Sequence, residues 1–136
     1  MTRPTATPAG TLALDSEGLS RAVPRDREIT EWLALARADD MRVLTSAAIV
    51  EVVHPRINRP ALEWTLSRIV VQPVTESVAR TAAALLADTG LHGHGHAIDA
   101  RLVATALAAP APVTVLSSDP EHPTALCGGR VTVIKV

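Results

Sequence analysis

The chain has 136 residues, 47% of them hydrophobic, which is enough for the core of one domain and too little for two full ones. Its single cysteine, Cys127, excludes an intramolecular disulfide bond and thiolate-based zinc sites, and favours a reducing compartment. The formal net charge of −1 gives no overall attraction for nucleic acid, and the absence of Phe and Tyr argues against base stacking on aromatic platforms.

The N-terminal segment, residues 1–10, is rich in Pro and Thr and lacks the apolar run of a secretory signal. It predicts a flexible tail ahead of one domain spanning residues 11–136. Charged residues interrupt the later apolar stretches before they reach the length needed to span a bilayer. We therefore expect a soluble cytoplasmic protein without a membrane partner.

Apolar runs and helical periodicity alternate along the first half of the domain. Ile29, Trp32, Leu33 and Ala36 recur with the spacing of one buried helical face, and Asp26 precedes them as an N-cap. The predicted elements in chain order are a strand at 11–15, the helix after Asp26, a strand at 41–44, helices at 47–54 and 59–67, and a strand at 69–74.

The same alternation continues through the second half. Thr75 can cap a helix that Gly90 ends. Residues 97–109 are apolar nearly all round and predict a central, buried helix. A strand at 113–118, a short helix opened by Pro120 and a last strand at 130–136 complete the chain.

Strands that alternate with helices predict right-handed crossovers and a mainly parallel sheet between two helical layers, a three-layer α/β/α fold. Ligands bind such sheets outside the carboxyl ends of the strands. Asp15 and Asp119 each follow a predicted strand directly, so we expect both at this edge of the sheet.

Each candidate acid also has a purely structural interpretation. Asp15 and Asp119 can cap helices, and Asp99 can interact with a helix dipole from the first turn. Glu51 lies in an apolar stretch that offers a carboxylate little solvation, so it needs a metal ion or a positive partner such as His54 or Arg56.

Taken together, the four acids point to a different kind of site. Oxygen ligands brought to one edge of a sheet form the site that Mg²⁺ or Mn²⁺ prefers, and such an ion can activate water and offset charge on a phosphoryl group. The candidate catalytic and metal-binding residues are Asp15, Glu51, Asp99 and Asp119.

Four sequence motifs resemble those of PIN-domain ribonucleases. They are LALDSEGL, AAIVEVVH, AIDARLVATAL and VLSSDPEHPTAL, and the resemblance covers residues 11–136. It implies a PIN-like fold in which Asp15, Glu51, Asp99 and Asp119 are the metal-centred acids, with Ser118 as a supporting hydroxyl.

Members of this size are often similar to VapC-type toxins of bacterial toxin–antitoxin pairs. The resemblance implies an endoribonuclease that uses metal-activated water, a homodimer, and an antitoxin that places a basic residue against the acids. Many relatives have an extra acid or hydroxyl residue before the third motif, where this chain has HGHGHAI. The number of bound metal ions therefore stays open.

Two further groups of residues have alternative interpretations. His92, His94 and His96 alternate with glycine and are either transition-metal ligands or a polar loop at the sheet edge that touches RNA. Arg56 and Arg59 are either solvated surface charges or contacts for RNA near Glu51.

Two other functions compete with the nuclease. One is a non-catalytic PIN-fold module that binds RNA or protein. The other is a phosphotransfer domain of the receiver or phosphatase type, but Asp15-Ser16-Glu17 breaks the phosphatase Asp-x-Asp pattern. Lys135 ends the last predicted strand, where we expect it to point away from the site of a receiver.

Overall fold

The structure is a computed structural model that describes residues 8–91 and 94–136. Most of the predicted flexible tail, residues 1–7, lies outside the described residues. Ala9 donates its N–H to the carbonyl of Asp40, and the carbonyl of Gly10 accepts the N–H of Arg42. The last residues of the predicted tail therefore hydrogen-bond to the folded domain.

Five strands and seven helices alternate along the described chain. The strands are β1 (Thr11–Leu14), β2 (Arg42–Ser46), β3 (Val70–Gln72), β4 (Val113–Ser117) and β5 (Thr132–Lys135). The helices are α1 (Ser16–Ala22), α2 (Arg27–Ala38), α3 (Ala47–Glu51), α4 (Arg59–Ser67), α5 (Glu76–Thr89), α6 (His94–Leu107) and α7 (Glu121–Cys127).

The strands form one sheet in the order β3-β2-β1-β4-β5, and every pairing between neighbours is parallel. This confirms the predicted three-layer α/β/α architecture. Flavodoxin-like receiver domains have the order 2-1-3-4-5. The observed order therefore argues against the receiver alternative.

Helices cover both faces of the sheet, as successive residues of β1 illustrate. Leu12 and Leu14 point to one face and pack in a cluster with Ile29 of α2. Ala13 points to the opposite face and packs in a cluster with Leu102 of α6. Successive side chains of β1 therefore contribute to the apolar clusters on both faces of the sheet, and β1 is buried along its whole length.

Helix α6 is central and buried, as predicted, since residues 102–106 are all buried. It begins at His94, three residues before the predicted start, and ends at Leu107, before the predicted end. In the part of the chain that the structure describes, no helix is both long enough and apolar enough to span a membrane.

Two elements differ from the sequence-based predictions near the carboxyl edge. Helix α1 was not predicted, because SEGLSRA has a weak apolar pattern. Strand β2 continues through the polar Thr45 and Ser46, beyond the predicted end at Leu44. The Thr45 hydroxyl is buried there because it donates a 2.8 Å hydrogen bond to the carbonyl of Leu14.

Candidate active site

Asp15 lies at the carboxyl end of β1 and is almost fully buried, with 7% of its surface exposed. Its Oδ1 accepts the N–H of Gly18 at 2.8 Å, so the capping interpretation of Asp15 is confirmed, although the helix that it caps, α1, was not predicted. Its Oδ2 accepts the N–H of Ser118 at 3.3 Å, in the segment that leaves β4. The carboxylate is thus held rigidly between two elements of the sheet edge.

Asp119 lies beyond β4 at the same edge, but it does not cap a helix. The N-cap of α7 is Pro120, without a side-chain capping bond, so the capping interpretation of Asp119 is wrong. The helix starts one residue too late for the Asp119 carboxylate to reach its first free N–H groups. Asp119 Oδ2 instead lies 3.7 Å from Nδ1 of His122.

Asp99 lies on α6 and is half-buried. Because α6 begins at His94, Asp99 is not in the first turn, where the predicted interaction with the helix dipole is strongest. Burial raises the pKa of Asp99 above its ordinary value, and the charges of Asp15 and Asp119 raise the same pKa further, whereas His122 and His96 oppose the shift. Asp15 and Asp119 are therefore both within electrostatic reach of Asp99.

Glu51 is the last residue of α3, and its side chain is exposed. The expectation that its apolar neighbours leave it poorly solvated is wrong, because the helix ends at this residue and the carboxylate meets solvent. Within residues 8–91 and 94–136 it makes no ion pair, with Arg56 or with any other residue. A catalytic role for Glu51 stays a prediction.

Ser117 ends β4 and Ser118 follows it, and each contacts the site in a different way. Ser118 is exposed and contacts the site through its backbone N–H, which Asp15 accepts. The buried hydroxyl is that of Ser117, whose Oγ accepts the N–H of Asp119 at 3.1 Å. Ser117 was not among the predicted site residues, although its place in the strand before Asp119 was a usable signal. Support from the Ser118 hydroxyl stays a prediction.

A pair of histidines borders the acids. One ligand atom from each of His96, Asp99 and His122 lies within 4.8 Å of the others. The rings of His96 and His122 meet edge to face, with centroids 4.5 Å apart. His122 was not predicted, although the sequence Asp119-Pro-Glu-His places it one helical turn after an acid.

The predicted histidine loop is only partly described. His92 and the side chain of His94 lie outside the described residues. His96 belongs to the first turns of α6, so the interpretation of a polar loop is wrong for this residue. Whether the three histidines act together stays untested.

The two candidate RNA-binding arginines are both exposed. Arg56 follows α3, and its backbone N–H donates to Nδ1 of His54 at 3.1 Å. Arg59 is the first residue of α4. Neither guanidinium forms an ion pair within the described chain, so both are accessible to a negatively charged ligand. RNA binding by them stays a prediction.

The side chains at this edge fit a divalent cation. Nδ1 of His96 is buried and has no hydrogen-bond partner among the described residues, which is unusual for a buried polar atom. Asp99 lies where burial disfavours its charged form. A cation bound beside them would offset the charge of Asp99, and the donor set of carboxylates and imidazoles suits divalent metals.

No protein-family model and no curated protein matches the sequence. The fold matches several solved structures, among them the following two. VapBC2 from Rickettsia felis, bound to a DNA fragment from the promoter, has a TM-score of 0.69 and 13% identity over 93% of this chain and 98% of that chain. FitAcB from Neisseria gonorrhoeae has a TM-score of 0.59 and 20% identity over 91% of this chain and 96% of that chain. The chain therefore has the PIN-like fold that its motifs predicted.

Proposed function

We propose that this chain is a metal-dependent endoribonuclease of the VapC type, the toxin of a toxin–antitoxin pair. Two lines support the proposal. The four motifs resemble those of PIN-domain ribonucleases in order and spacing, and the fold is similar to VapBC2 and FitAcB across more than nine-tenths of the chain. Fold alone does not fix activity, so the proposal depends on the acids.

One observation carries it: the charges of Asp15 and Asp119 both act on the half-buried Asp99. Like charges repel, so a fold gains no stability by collecting them. The arrangement is useful when a cation binds, because carboxylate oxygens are the preferred ligands of Mg²⁺ and Mn²⁺. A metal site explains these acids better than three separate structural roles.

Each acid has a distinct part in this proposal. Asp15 and Asp99 are the principal ligands; the two N–H groups that Asp15 accepts fix its direction before an ion arrives. Asp119 and Glu51 complete or orient the ligand shell. The ion, when bound, supplies a nucleophilic water at neutral pH and stabilises charge on the phosphodiester.

RNA would approach across the exposed arginines. Arg56 and Arg59 lie between α3 and the first turn of α4, close in sequence to Glu51. Guanidinium groups bind phosphate oxygens in two parallel hydrogen bonds. Contacts to the backbone dominate in this proposal, because the chain contains two Trp and no Phe or Tyr for stacking.

The proposed regulatory partner is an antitoxin that places an arginine against the acids, with the toxin as a homodimer. A guanidinium can bind two carboxylates at once and exclude the metal ion. The test is binding of the purified antitoxin before and after replacement of its basic residues. Unchanged affinity, or a toxin that is monomeric in light scattering, would contradict the respective part of this hypothesis.

The test of the activity uses the full chain with a labelled single-stranded RNA and either Mg²⁺ or Mn²⁺. We expect cleavage that EDTA abolishes and that Asp99→Asn reduces at least about a hundredfold, the scale of losing a catalytic electrostatic group. Asp88→Asn on α5 is the matched control, because Asp88 is an exposed aspartate without an ion pair in the described chain. Full activity in EDTA would refute the proposal, and metal binding without cleavage would favour the non-catalytic module.

A further inference from the structure

The histidine pair beside the acids forms a cluster that the nuclease proposal does not use. His96 and Asp99 are three residues apart on α6 and so lie on the same face of the helix. His122 reaches them from α7, which packs against α6. The cluster therefore combines side chains from two elements that the core holds together.

We propose that His96, Asp99 and His122 bind a divalent transition-metal ion of the Zn²⁺ type. Their ligand atoms lie within 4.8 Å of one another. Bonds of about 2.0 to 2.2 Å to a tetrahedral ion place ligand atoms about 3.5 Å apart, so the side chains need to converge by only about 1 Å. Rotations of partly exposed side chains supply a movement of this size.

A second observation points to a ligand at this place. Nδ1 of His96 is buried without a hydrogen-bond partner in the described chain, whereas histidines that serve structure alone usually pair both ring nitrogens or expose them. The His122 ring abuts His96 edge to face. Two imidazole rings in contact offer a pair of nitrogen ligands to a shared metal ion.

The third ligand, Asp99, lies where its charged form is disfavoured, and His122 and His96 offset only part of this effect. Asp99 is half-buried and faces the like charges of Asp15 and Asp119. The ion pairs in the described chain involve other acids, so no arginine or lysine neutralises Asp99. A divalent ion held between this carboxylate and the two imidazoles would supply the missing positive charge.

The donor set selects the class of ion. Two imidazole nitrogens and one carboxylate oxygen suit Zn²⁺, Co²⁺, Ni²⁺ or Fe²⁺, whereas Mg²⁺ prefers oxygen ligands and keeps most of its water. Three protein ligands leave at least one position open on the ion, as in catalytic zinc sites. The site shares Asp99 with the proposed nuclease site but does not rest on RNA cleavage, since ion binding is measured directly.

The decisive residue is His122, because it lies outside the histidine-rich segment before α6. The full chain is stripped of metal with a chelator and titrated with Zn²⁺ by calorimetry, and Co²⁺ is followed by its visible absorption. We expect one tight Zn²⁺ ion per chain, and affinity at least about tenfold lower in His122→Ala. His96→Ala and Asp99→Asn should give comparable losses.

His54→Ala is the matched control, because His54 is an exposed histidine on a loop after α3. It should leave the affinity and the Co²⁺ spectrum unchanged. Circular dichroism and thermal unfolding in EDTA establish that each variant is folded, and His122→Gln replaces His122→Ala if the latter unfolds. Zn²⁺ affinity that is unchanged in the folded His122 variant, or a Co²⁺ spectrum identical to that of the wild type, would overturn the proposal.

Discussion

Asp15 and Ser118 are 103 positions apart in the sequence, yet the backbone N–H of Ser118 donates a hydrogen bond of 3.3 Å to Oδ2 of Asp15. This bond joins the carboxyl ends of β1 and β4, neighbours in the sheet. Asp15 therefore serves the fold and the proposed metal site together. Its substitution has two effects that have to be measured separately.

Asp15→Asn should abolish most RNA cleavage and also lower stability. The Asn oxygen can still accept the Gly18 N–H, but its amide group would face the Ser118 N–H, donor against donor. We expect a loss of about 1 to 3 kcal/mol in unfolding free energy, with a native circular dichroism spectrum. Urea unfolding and cleavage assays on the same preparation measure both effects.

Asp26→Asn is the control for this variant. Asp26 caps α2 as Asp15 caps α1, but it forms an ion pair with Arg21 and is not one of the proposed metal ligands. It should keep cleavage at the wild-type level. Equal loss of cleavage in both variants would mean that capping, and not metal binding, underlies the effect of Asp15.

Glu51→Gln should separate catalysis from stability. The Glu51 side chain is exposed and has no ion pair within the described residues. The unfolding free energy of the protein should therefore change by no more than about 0.5 kcal/mol. If Glu51 helps hold the ion, cleavage falls at least about tenfold at limiting Mg²⁺. A Mg²⁺ titration of the cleavage rate measures this, and an unchanged titration curve removes Glu51 from the site.

Asp99→Asn should stabilise the metal-free protein at neutral pH. The pKa of Asp99 is raised in the folded state above its ordinary value of 3.8, so the folded chain holds this proton more tightly than the unfolded chain. The unfolding free energy of the wild type therefore falls as the pH rises from the ordinary pKa of Asp99 through its raised pKa in the folded state. Above the raised pKa the loss of stability is complete. The Asn variant lacks this titration.

We expect the variant to be more stable by on the order of 0.5 to 2 kcal/mol at pH 7.5 in EDTA, with the difference shrinking toward pH 4. Asp119→Asn is the comparison variant. Because the Asp119 carboxylate is exposed, its replacement should change the unfolding free energy by less than about 0.5 kcal/mol. An Asp99 variant less stable than the wild type at pH 7.5 would identify Asp99 as a structural residue.

Added Mg²⁺ should raise the melting temperature of the wild type more than that of Asp99→Asn. An ion that binds only the folded arrangement of acids stabilises it in proportion to the logarithm of its concentration. Thermal unfolding over a Mg²⁺ series from zero to well above saturation measures the slope. Asp88→Asn should follow the wild type, and equal slopes for all three proteins would show that Mg²⁺ acts elsewhere or not at all.

The sequence by itself determined the architecture and the order of the elements, apart from α1. Apolar runs, caps and stops are local signals, so α4 was predicted with its observed bounds and α5 begins after Thr75 and ends before Gly90 as expected. The sequence also predicted Asp15 and Asp119 at one edge of the sheet, because residues that follow parallel strands must reach the same edge. Asp99, which lies on α6, was a candidate through its motif.

Only the tertiary structure decided how these side chains are used. In the structure Glu51 is exposed, Asp119 does not cap a helix, and His122 lies beside the acids at the sheet edge. Each of these positions depends on where a helix starts or stops and on what packs beside it. The bond between Asp15 and Ser118 likewise depends on the pairing of β1 with β4. Local patterns do not encode such contacts, since residues far apart in the chain meet only when the sheet assembles and the two helical layers close over it.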